Sequence, residues 1–474
     1  MKLFLALLMA MLGLETTAEL RFEPYAIPQR NGDPIAAEVA TLTVPSLRSV
    51  PGSPTFDLAV VRLRSTSDTP GDPIIFLAGG PGNSGTSYAS SAAVRLLRTA
   101  GDVVLFDQRG TGRSTPRPIC RMADALDPAV VYSREAATTE GLRALVRGCA
   151  SDWAAKGVDI RAFTTVENAD DVDALREALG SKKVNLVGFS YGTHLLFSVL
   201  RRHGAHVGRA VFLGSEGPGD TWKYPETFDL QLMKLSHMAT GSDAMVRSFD
   251  RVMHQLDEKP LAVPVRLKDD APVIEVQVSR FGLERILIQD LGDSSDFVLF
   301  PAMLQMLEQG DTRLLARYVE KRYRAMAAGI PLMSLAMDCA SGASPERLAD
   351  IVRQRPGSRF PRINYPYPDV CGAVGVPDLG ESFRSTVSSP VPSLFVSGSL
   401  DCQTPPYQAE HARWGFTDSW HLIVENAGHE DLDSNAQVGM AIVEFFRGRG
   451  AKSGTIEMAR PKFQTVQEVS QRLK

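Results

Sequence analysis

The chain has 474 residues, of which 44% are hydrophobic and 22% are charged, and its formal net charge is −4. This is the balance of a globular protein that can bury a large core, and the length suits about two or three domain-sized units. The sequence has no basic run with interleaved aromatic residues, which argues against nucleic acid as a partner.

The N-terminus has the pattern of a secretory signal peptide. Lys2 precedes an apolar run over residues 3–14, and the small residues Thr16 and Ala18 stand at −3 and −1 for cleavage after Ala18. A membrane-spanning helix needs about 20 apolar residues, so this run is too short to be a stable anchor, and no later segment is long enough. We therefore expect a signal peptide over residues 1–18 and a secreted or periplasmic protein.

Export would allow disulfide bonds to form. The five cysteines are Cys120, Cys149, Cys339, Cys371 and Cys402. Their spacing leaves several pairings open, and the odd number leaves one cysteine without a partner in the chain. We expect Cys120–Cys149 and Cys339–Cys371, because each pair lies within one candidate domain. The sequence has no CxxC spacing and no HExxH cluster, so we expect neither a metal nor another cofactor.

Strand and helix patterns alternate over residues 19–220, as in a mostly parallel sheet with helices on both faces. Strands are predicted at 38–44, 56–64, 74–77, 103–106, 184–187 and 210–213, and helices at 169–179 and 191–202. Most of the later strands are short and almost wholly apolar, as strands buried on both faces should be. This predicts the first part of an α/β-hydrolase core.

Residues 221–386, which we call the lid segment, have mostly helical patterns. Helices are predicted at 244–256, 280–290, 297–308, 312–327 and 345–353, with a hairpin at 263–278. The second part of the core follows over residues 387–450, with strands at 393–396 and 421–424 and a helix at 437–447. A polar tail covers residues 451–474. A helical lid inserted between two late strands is thus expected to cover the open α/β sheet.

A nucleophile motif lies between the predicted strand 184–187 and the predicted helix 191–202. Residues 188–192 read Gly-Phe-Ser-Tyr-Gly, which matches G-x-S-x-G with Ser190 at its centre. Gly188 and Gly192 are small because neighbouring segments crowd such a turn. The helix directs its N-terminal amides at the place where negative charge develops, and the Tyr191 N–H is one of them. Ser190 is the predicted nucleophile.

An acid and a base follow in the order that this fold requires, serine, then acid, then histidine. Asp401 comes just after the strand 393–396, and His429 comes just after the strand 421–424. Both loops should therefore lie at the same edge of the sheet. Among the eight histidines, His429 has the right order and position, so Ser190, Asp401 and His429 are predicted to form a catalytic triad.

Two further glycine-containing motifs precede the predicted nucleophile in the chain. Residues 78–85 read Ala-Gly-Gly-Pro-Gly-Asn-Ser-Gly after the strand 74–77, and residues 107–114 read Asp-Gln-Arg-Gly-Thr-Gly-Arg-Ser. The glycine loop lacks the Lys-Ser/Thr ending of a phosphate-binding loop. With the elbow, Gly398-Ser399-Leu400-Asp401 and Gly428-His429, these motifs resemble the prolyl iminopeptidase and tripeptidyl aminopeptidase family of α/β-hydrolases over about residues 74–429.

The resemblance implies that the chain removes residues or short peptides from peptide N-termini. It makes Gly80, the second glycine of the pair, an oxyanion-hole amide beside Tyr191. Ala78 stands where prolyl iminopeptidases have histidine, which favours the larger secreted, tripeptidyl-type branch. We expect residues 107–114 to be scaffolding held by an Asp107–Arg109 interaction.

An aminopeptidase also needs an anion for the ammonium group of its substrate. Glu216 follows the strand 210–213 and is the predicted substrate-binding residue, on position alone. The alternative is a carboxylesterase or amidase for small molecules, because the same triad cleaves esters and the lid sets the substrate. An intact triad argues against a protein that only binds.

Overall fold

The computed structural model of the protein describes residues 20–29, 32–121, 126–266, 271–450 and 452–473. The predicted signal peptide and its cleavage site after Ala18 lie outside these residues. Within them, no helix combines the length and the apolar character that crossing a bilayer requires.

A ten-stranded sheet organises the described residues, in the order β1-β2-β3-β5-β4-β7-β8-β12-β13-β14. The strands are β1 (Glu23–Ile27), β2 (Ile35–Pro45), β3 (Thr55–Leu63), β4 (Ile74–Leu77), β5 (Val103–Phe106), β6 (Ile119–Cys120), β7 (Val184–Phe189), β8 (Val207–Leu213), β9 (Leu261–Val265), β10 (Ile274–Val278), β11 (Ile330–Pro331), β12 (Ser393–Gly398), β13 (Ser419–Glu425) and β14 (Gly454–Glu457). Strands β1, β2, β3 and β5 pair antiparallel, and the pairs from β5 to β14 are parallel. The predicted mostly parallel sheet is confirmed.

Helices cover both faces of the sheet. The helices of the two core parts are Ala92–Leu97, Glu135–Ala154, Thr165–Ala178, Tyr191–His203, Pro406–Arg413 and Ala436–Phe446. Every residue of β4, β5, β7 and β12 is buried, because apolar clusters pack against both faces of these strands. This burial explains why the central strands are almost continuously apolar.

The lid segment is mostly helical, with the two-stranded sheet β9–β10 inside it. Its helices are Pro225–Thr240, Ala244–Glu258, Arg280–Asp290, Ser294–Phe297, Phe300–Glu308, Arg313–Ala327, Leu332–Ser341, Pro345–Gln354, Cys371–Val374 and Glu381–Arg384. The helix predicted at 297–308 is interrupted, because Pro301 stands in the first turn of a new helix, where its missing N–H costs nothing.

Residues of the lid segment belong to two different apolar clusters. One cluster is built mainly from lid residues such as Phe249, Leu283 and Met303. The helix Leu332–Ser341 instead packs into the cluster under the core sheet, through residues that include Met333 and Met337. This helix therefore joins the lid segment to the core.

The tail has regular structure that its polar sequence does not signal. Strand β14 extends the sheet by pairing with β13, and a helix covers Val466–Arg472. Val469 of this helix is buried in the lid cluster. The tail therefore packs against both parts of the molecule.

The predicted cysteine pairs lie at bonding distance. The Cα atoms are 5.5 Å apart in Cys120–Cys149 and 5.3 Å apart in Cys339–Cys371. Cys402 is buried and free of a disulfide. Each bond links two segments of the cluster under the sheet, so both restrain the same side of the molecule.

The expected Asp107–Arg109 interaction is wrong, because the two side chains have separate partners. Asp107 accepts hydrogen bonds from the Ser84 hydroxyl at 2.7 Å, the Thr86 N–H at 2.9 Å and the Arg113 N–H at 2.8 Å. Its carboxylate thus fixes the end of the glycine loop. A Cβ at Gly112 would lie 2.2 Å from this carboxylate, which explains the glycine there.

Arg109 points into the protein on the other side of the loop. Its guanidinium donates to both oxygens of Asp171, at 2.6 and 2.7 Å, and to the carbonyls of Ser46 and Ala162 at 2.6 and 2.7 Å. Both Arg109 and Asp171 are fully buried. The arginine therefore ties the loop after β5 to the helix Thr165–Ala178 and to the end of β2.

We expect R109M to destabilise the fold by about 3–5 kcal/mol, because the change removes the fully buried partner of the Asp171 carboxylate and leaves it only the half-buried Arg48. The free energy of unfolding in urea measures this. The control R251Q removes an exposed arginine that pairs with Glu308 at 2.7 Å, and it should change the unfolding free energy far less. Equal losses of unfolding free energy in R109M and R251Q would contradict the structural role assigned to Arg109.

Candidate active site

Ser190 sits on a strained turn between β7 and the helix Tyr191–His203. Its φ of 56° and ψ of −125° place a non-glycine residue in a region that side chains rarely adopt. Its N–H donates to the Leu213 carbonyl at 2.9 Å, and its carbonyl accepts from the Thr193 N–H at 2.8 Å. These bonds to β8 and to the first helical turn hold the serine at the carboxyl end of the sheet.

The two glycines of the motif are required by crowding. A Cβ at Gly188 would lie 2.6 Å from the Gly192 carbonyl oxygen, and a Cβ at Gly192 would lie 2.0 Å from the Leu77 carbonyl oxygen. The end of β4 therefore packs directly on the turn. A side chain at either position would push the strand and the helix apart.

His429 and Asp401 lie together at the ends of β13 and β12. The Nδ1 atom of His429 is 2.7 Å from Oδ2 of Asp401, and both side chains are buried. The same Asp401 oxygen accepts from the Thr404 hydroxyl at 2.7 Å, and Oδ1 accepts from the amides of Gln403 and Thr404 at 2.8 and 2.9 Å. Asp401 is thus fixed as an acceptor that orients the imidazole ring.

The pKa values of this pair shift towards the charged forms. Burial opposes the imidazolium of His429, but the Asp401 carboxylate outweighs it, so the pKa of His429 is raised above its usual value. Burial would likewise raise the pKa of Asp401. The charge and hydrogen bond of His429 and the bonds from Thr404 outweigh it, so the pKa of Asp401 is lowered.

The lid segment supports the histidine loop. The His429 N–H donates to the Gly292 carbonyl at 2.7 Å. Asp431 accepts from the Ser294 hydroxyl and from the Gly428 N–H, both at 2.7 Å. Part of the geometry at His429 therefore depends on residues 292–294.

Gly80 and Tyr191, the predicted oxyanion-hole residues, both lie near Ser190, because Gly80 lines the same cavity and Tyr191 follows the serine in the chain. Gly80 has a φ of 116°, and a Cβ there would lie 2.7 Å from the Gly82 nitrogen, so only glycine fits this turn. Tyr191 is the first residue of its helix, where an N–H has no partner within the helix. The Tyr191 side chain points away into the core, with its hydroxyl 2.9 Å from Thr165 Oγ1.

Ser190, His429, Gly80 and Glu216 line one cavity of about 620 Å³. Its other charged lining residues are Lys223, Asp290, Asp293, Arg322 and Glu430. Carboxylates thus outnumber lysine and arginine two to one around the serine. The sequence reasoning missed Asp290, Asp293 and Arg322, because they come from the lid segment, whose helical pattern does not show which residues face the core.

Glu216 is buried and already has a cationic neighbour. Its Oε2 atom is 2.5 Å from Nζ of Lys223, and its N–H donates to the Thr193 hydroxyl at 2.7 Å. Asp290 similarly pairs with Arg322. Among the described residues, Asp293 and Glu430 have no such ion pair, so the cavity has spare negative charge.

The comparisons with known proteins agree with this fold. Residues 72–252 match the family described as alpha/beta hydrolase fold, and residues 363–454 match the family described as TAP-like protein. These matches cover β4 to the elbow, and then the loops of Asp401 and His429. They confirm the resemblance that the motifs predicted.

Individual relatives match over shorter stretches. Serine protease Hip1 of Mycobacterium tuberculosis is 34% identical over 174 residues, which are 34% of this chain and 32% of that protein. Tripeptidyl aminopeptidase of Streptomyces coelicolor is 33% identical over 168 residues, 32% of this chain and 30% of that protein. Carboxylesterase B of Mycobacterium tuberculosis is 34% identical over 199 residues, 38% of this chain and 36% of that protein.

The matched stretch spans only about a third of the length of each of these relatives. The chain therefore has the α/β-hydrolase fold, with the alpha/beta hydrolase match over residues 72–252 and the TAP-like match over residues 363–454.

Proposed function

We propose that the protein is a secreted serine peptidase that releases short peptides or residues from unblocked peptide N-termini. The observation that carries the proposal is the excess of carboxylates in the cavity onto which Ser190 and His429 open. A site for a neutral ester has no need of this charge, whereas a substrate with a free ammonium group is attracted by it.

The proposed reaction uses the predicted triad and the two predicted oxyanion-hole amides. His429, oriented by Asp401, takes the proton of the Ser190 hydroxyl, and the serine oxygen attacks the substrate carbonyl carbon. The amides of Gly80 and Tyr191 stabilise the negative oxygen that forms. His429 then donates its proton to the leaving amine, and water releases the acyl product by the same steps.

Glu216 is our candidate for binding the substrate ammonium. It lies in the cavity with Ser190, and the ion pair with Lys223 holds its carboxylate in place. A substrate ammonium would then share an anion that is already fixed in place. Asp293 and Glu430 also line this cavity and add negative charge to it.

The second candidate is a carboxylesterase or amidase for small molecules. The relative named Carboxylesterase B matches this chain at an identity similar to that of the peptidase relatives. The same triad cleaves esters, so the charge of the cavity is what favours the peptidase.

Export is part of the proposal. The N-terminal motif predicts a cleaved signal, and two disulfide bonds are stable in an oxidising compartment rather than in the cytosol.

Purified protein should cleave chromogenic anilides of unblocked peptides. The panel compares a free tripeptide anilide, a proline anilide, an N-blocked tripeptide anilide and short esters. S190A should lower kcat by about 10⁶-fold, the loss typical of a serine peptidase nucleophile. Cleavage of blocked peptides, or of esters alone, would contradict the aminopeptidase proposal, and activity that survives in S190A would contradict the mechanism.

The pH profile should report His429. Only neutral His429 can take the proton, so kcat/KM should fall as the pH drops through a pKa above 6.5. D401N removes the carboxylate that raises this pKa, so the acidic limb should move to lower pH while the plateau falls by about 10⁴-fold. A limb that stays in place would show that Asp401 does not set the protonation of His429.

E216Q should weaken cleavage of an unblocked peptide about 10- to 100-fold more than cleavage of a neutral ester, because it removes a charged acceptor for the ammonium. The ratio of the two kcat/KM values measures this, and the retained ester activity shows that the site is folded. E430Q is the matched change in the same cavity. Equal losses of peptide and ester cleavage in E216Q, or a larger selective loss in E430Q, would exclude Glu216 as the anchor.

A further inference from the structure

A second cavity, of about 510 Å³, adjoins the active-site cavity. The two cavities share the lining residues Gly80, Lys223, Gln289, Arg322 and Gln403. A substrate held at the oxyanion-hole glycine therefore has two directions in which to extend. The volume falls within the range of about 300–1,000 Å³ that small ligands occupy.

The second cavity differs from the first in chemistry. Its walls are mostly aliphatic and aromatic, with residues such as Leu142, Met326, Ile363 and Tyr365. Its lining among the described residues includes four cationic side chains and no carboxylate. The first cavity thus has an excess of carboxylates, whereas the second is mostly apolar and has only cations among its charged lining residues.

Three of the four cations are neutralised by carboxylates outside this lining. Their ion pairs are Lys223–Glu216, Arg322–Asp290, Arg362–Glu135 and Arg362–Glu284. These three side chains therefore offer little charge to a ligand. The fourth cation is Arg285 on the lid helix Arg280–Asp290.

Arg285 is half-buried and is held by aromatic rings instead of by an acid. Its guanidinium carbon lies 4.8 Å from the ring centre of Tyr365, 5.3 Å from that of Phe281 and 5.4 Å from that of Tyr132. It makes one long contact, 3.5 Å from Nη1 to the Val131 carbonyl oxygen. Within the described part of the chain it has no ion pair.

This arrangement prepares Arg285 to bind an anion. Aromatic faces stabilise a guanidinium and restrict its orientation without using its N–H donors. Those donors match the two oxygens of a carboxylate, and the partial burial of Arg285 strengthens the resulting bonds. Lost side-chain entropy, a usual cost of binding, is small because the rings already restrain the arginine.

We propose that Arg285 binds a carboxylate of the substrate in the second cavity. Together with the proposed ammonium site in the first cavity, on whose function this inference builds, the protein would prefer short peptides that carry both charges. The carboxylate can be the free C-terminus of a short peptide or the side chain of an acidic residue, since both present the same group.

Binding to the inactive S190A protein tests this without depending on cleavage. Calorimetry compares Ala-Ala-Ala-Phe as the free acid with its C-terminal amide, and Ala-Ala-Glu-Phe amide with Ala-Ala-Gln-Phe amide. The first pair tests the C-terminus, and the second tests the side chain. We expect at least one pair to show a tenfold or greater preference for the carboxylate.

Variants on the S190A background assign the preference to Arg285. R285Q should abolish it, whereas R280Q should keep it, because Arg280 is a cation on the same helix that pairs with Asp257 at 2.8 Å and does not line the cavity. R285K keeps the charge but loses the planar donor pair, so it should reduce the preference at least threefold. This variant decides the question if R285Q does not fold.

Equal binding within both peptide pairs, or a preference unchanged in R285K or retained in R285Q, would overturn the proposal. Hydrolysis of the same peptides by the unchanged protein separates the two levels of inference. If S190A shows an Arg285-dependent preference but the active protein cleaves no unblocked peptide, the proposed peptidase function fails while the carboxylate site stands.

Discussion

The close contact of three backbone segments around Ser190 is the constraint on which the rest of the site depends. The end of β4 lies against Gly192, the strand before the serine crosses the helix after it at Gly188, and β8 binds the Ser190 N–H. A positive φ at a serine costs about 1–3 kcal/mol, and only such surroundings can hold it. Because β4 also leads into the glycine loop, the same contact sets where Gly80 lies relative to the serine. Ser190 and the glycine loop are therefore one packed unit.

The lid segment takes part in this unit and does not merely cover it. The Ser334 hydroxyl donates to the Pro81 carbonyl at 2.7 Å, and a Cβ at Gly82 would lie 2.3 Å from that hydroxyl. On the other side of the cavity, Gly292 accepts from the His429 N–H. The buried Gln231 side chain joins the Leu291 and Leu400 carbonyls, next to Asp401. A movement of the lid segment would therefore displace the glycine loop and the loops that carry Asp401 and His429.

The sequence predicted the sheet and the order of Ser190, Asp401 and His429 because local signals carry both. Short apolar strands, a glycine-flanked serine and loops at strand ends can be read within a few residues. The partners of Asp107 and Arg109 could not be read in this way. Both residues are charged and lie near each other in the chain. Asp107 nevertheless binds the glycine loop, whereas Arg109 binds Asp171, 62 residues away in the chain. The Lys223–Glu216 ion pair and the positions of Asp293 and Arg322 in the cavity lining could not be predicted either, since they depend on how the lid segment packs.

The charge pattern of the two cavities would favour one orientation of a bound peptide. The acidic cavity and the aromatic cavity that holds Arg285 share Gly80, one of the two residues that bind the reacting carbonyl oxygen in the proposed mechanism. Opposite charges on the two sides of that point would align a peptide with its ammonium on one side and its carboxylate on the other. A chain bound the other way round would place like charges together in both cavities, where they repel each other. The same charges that attract a peptide would therefore also decide which of its bonds is presented to Ser190.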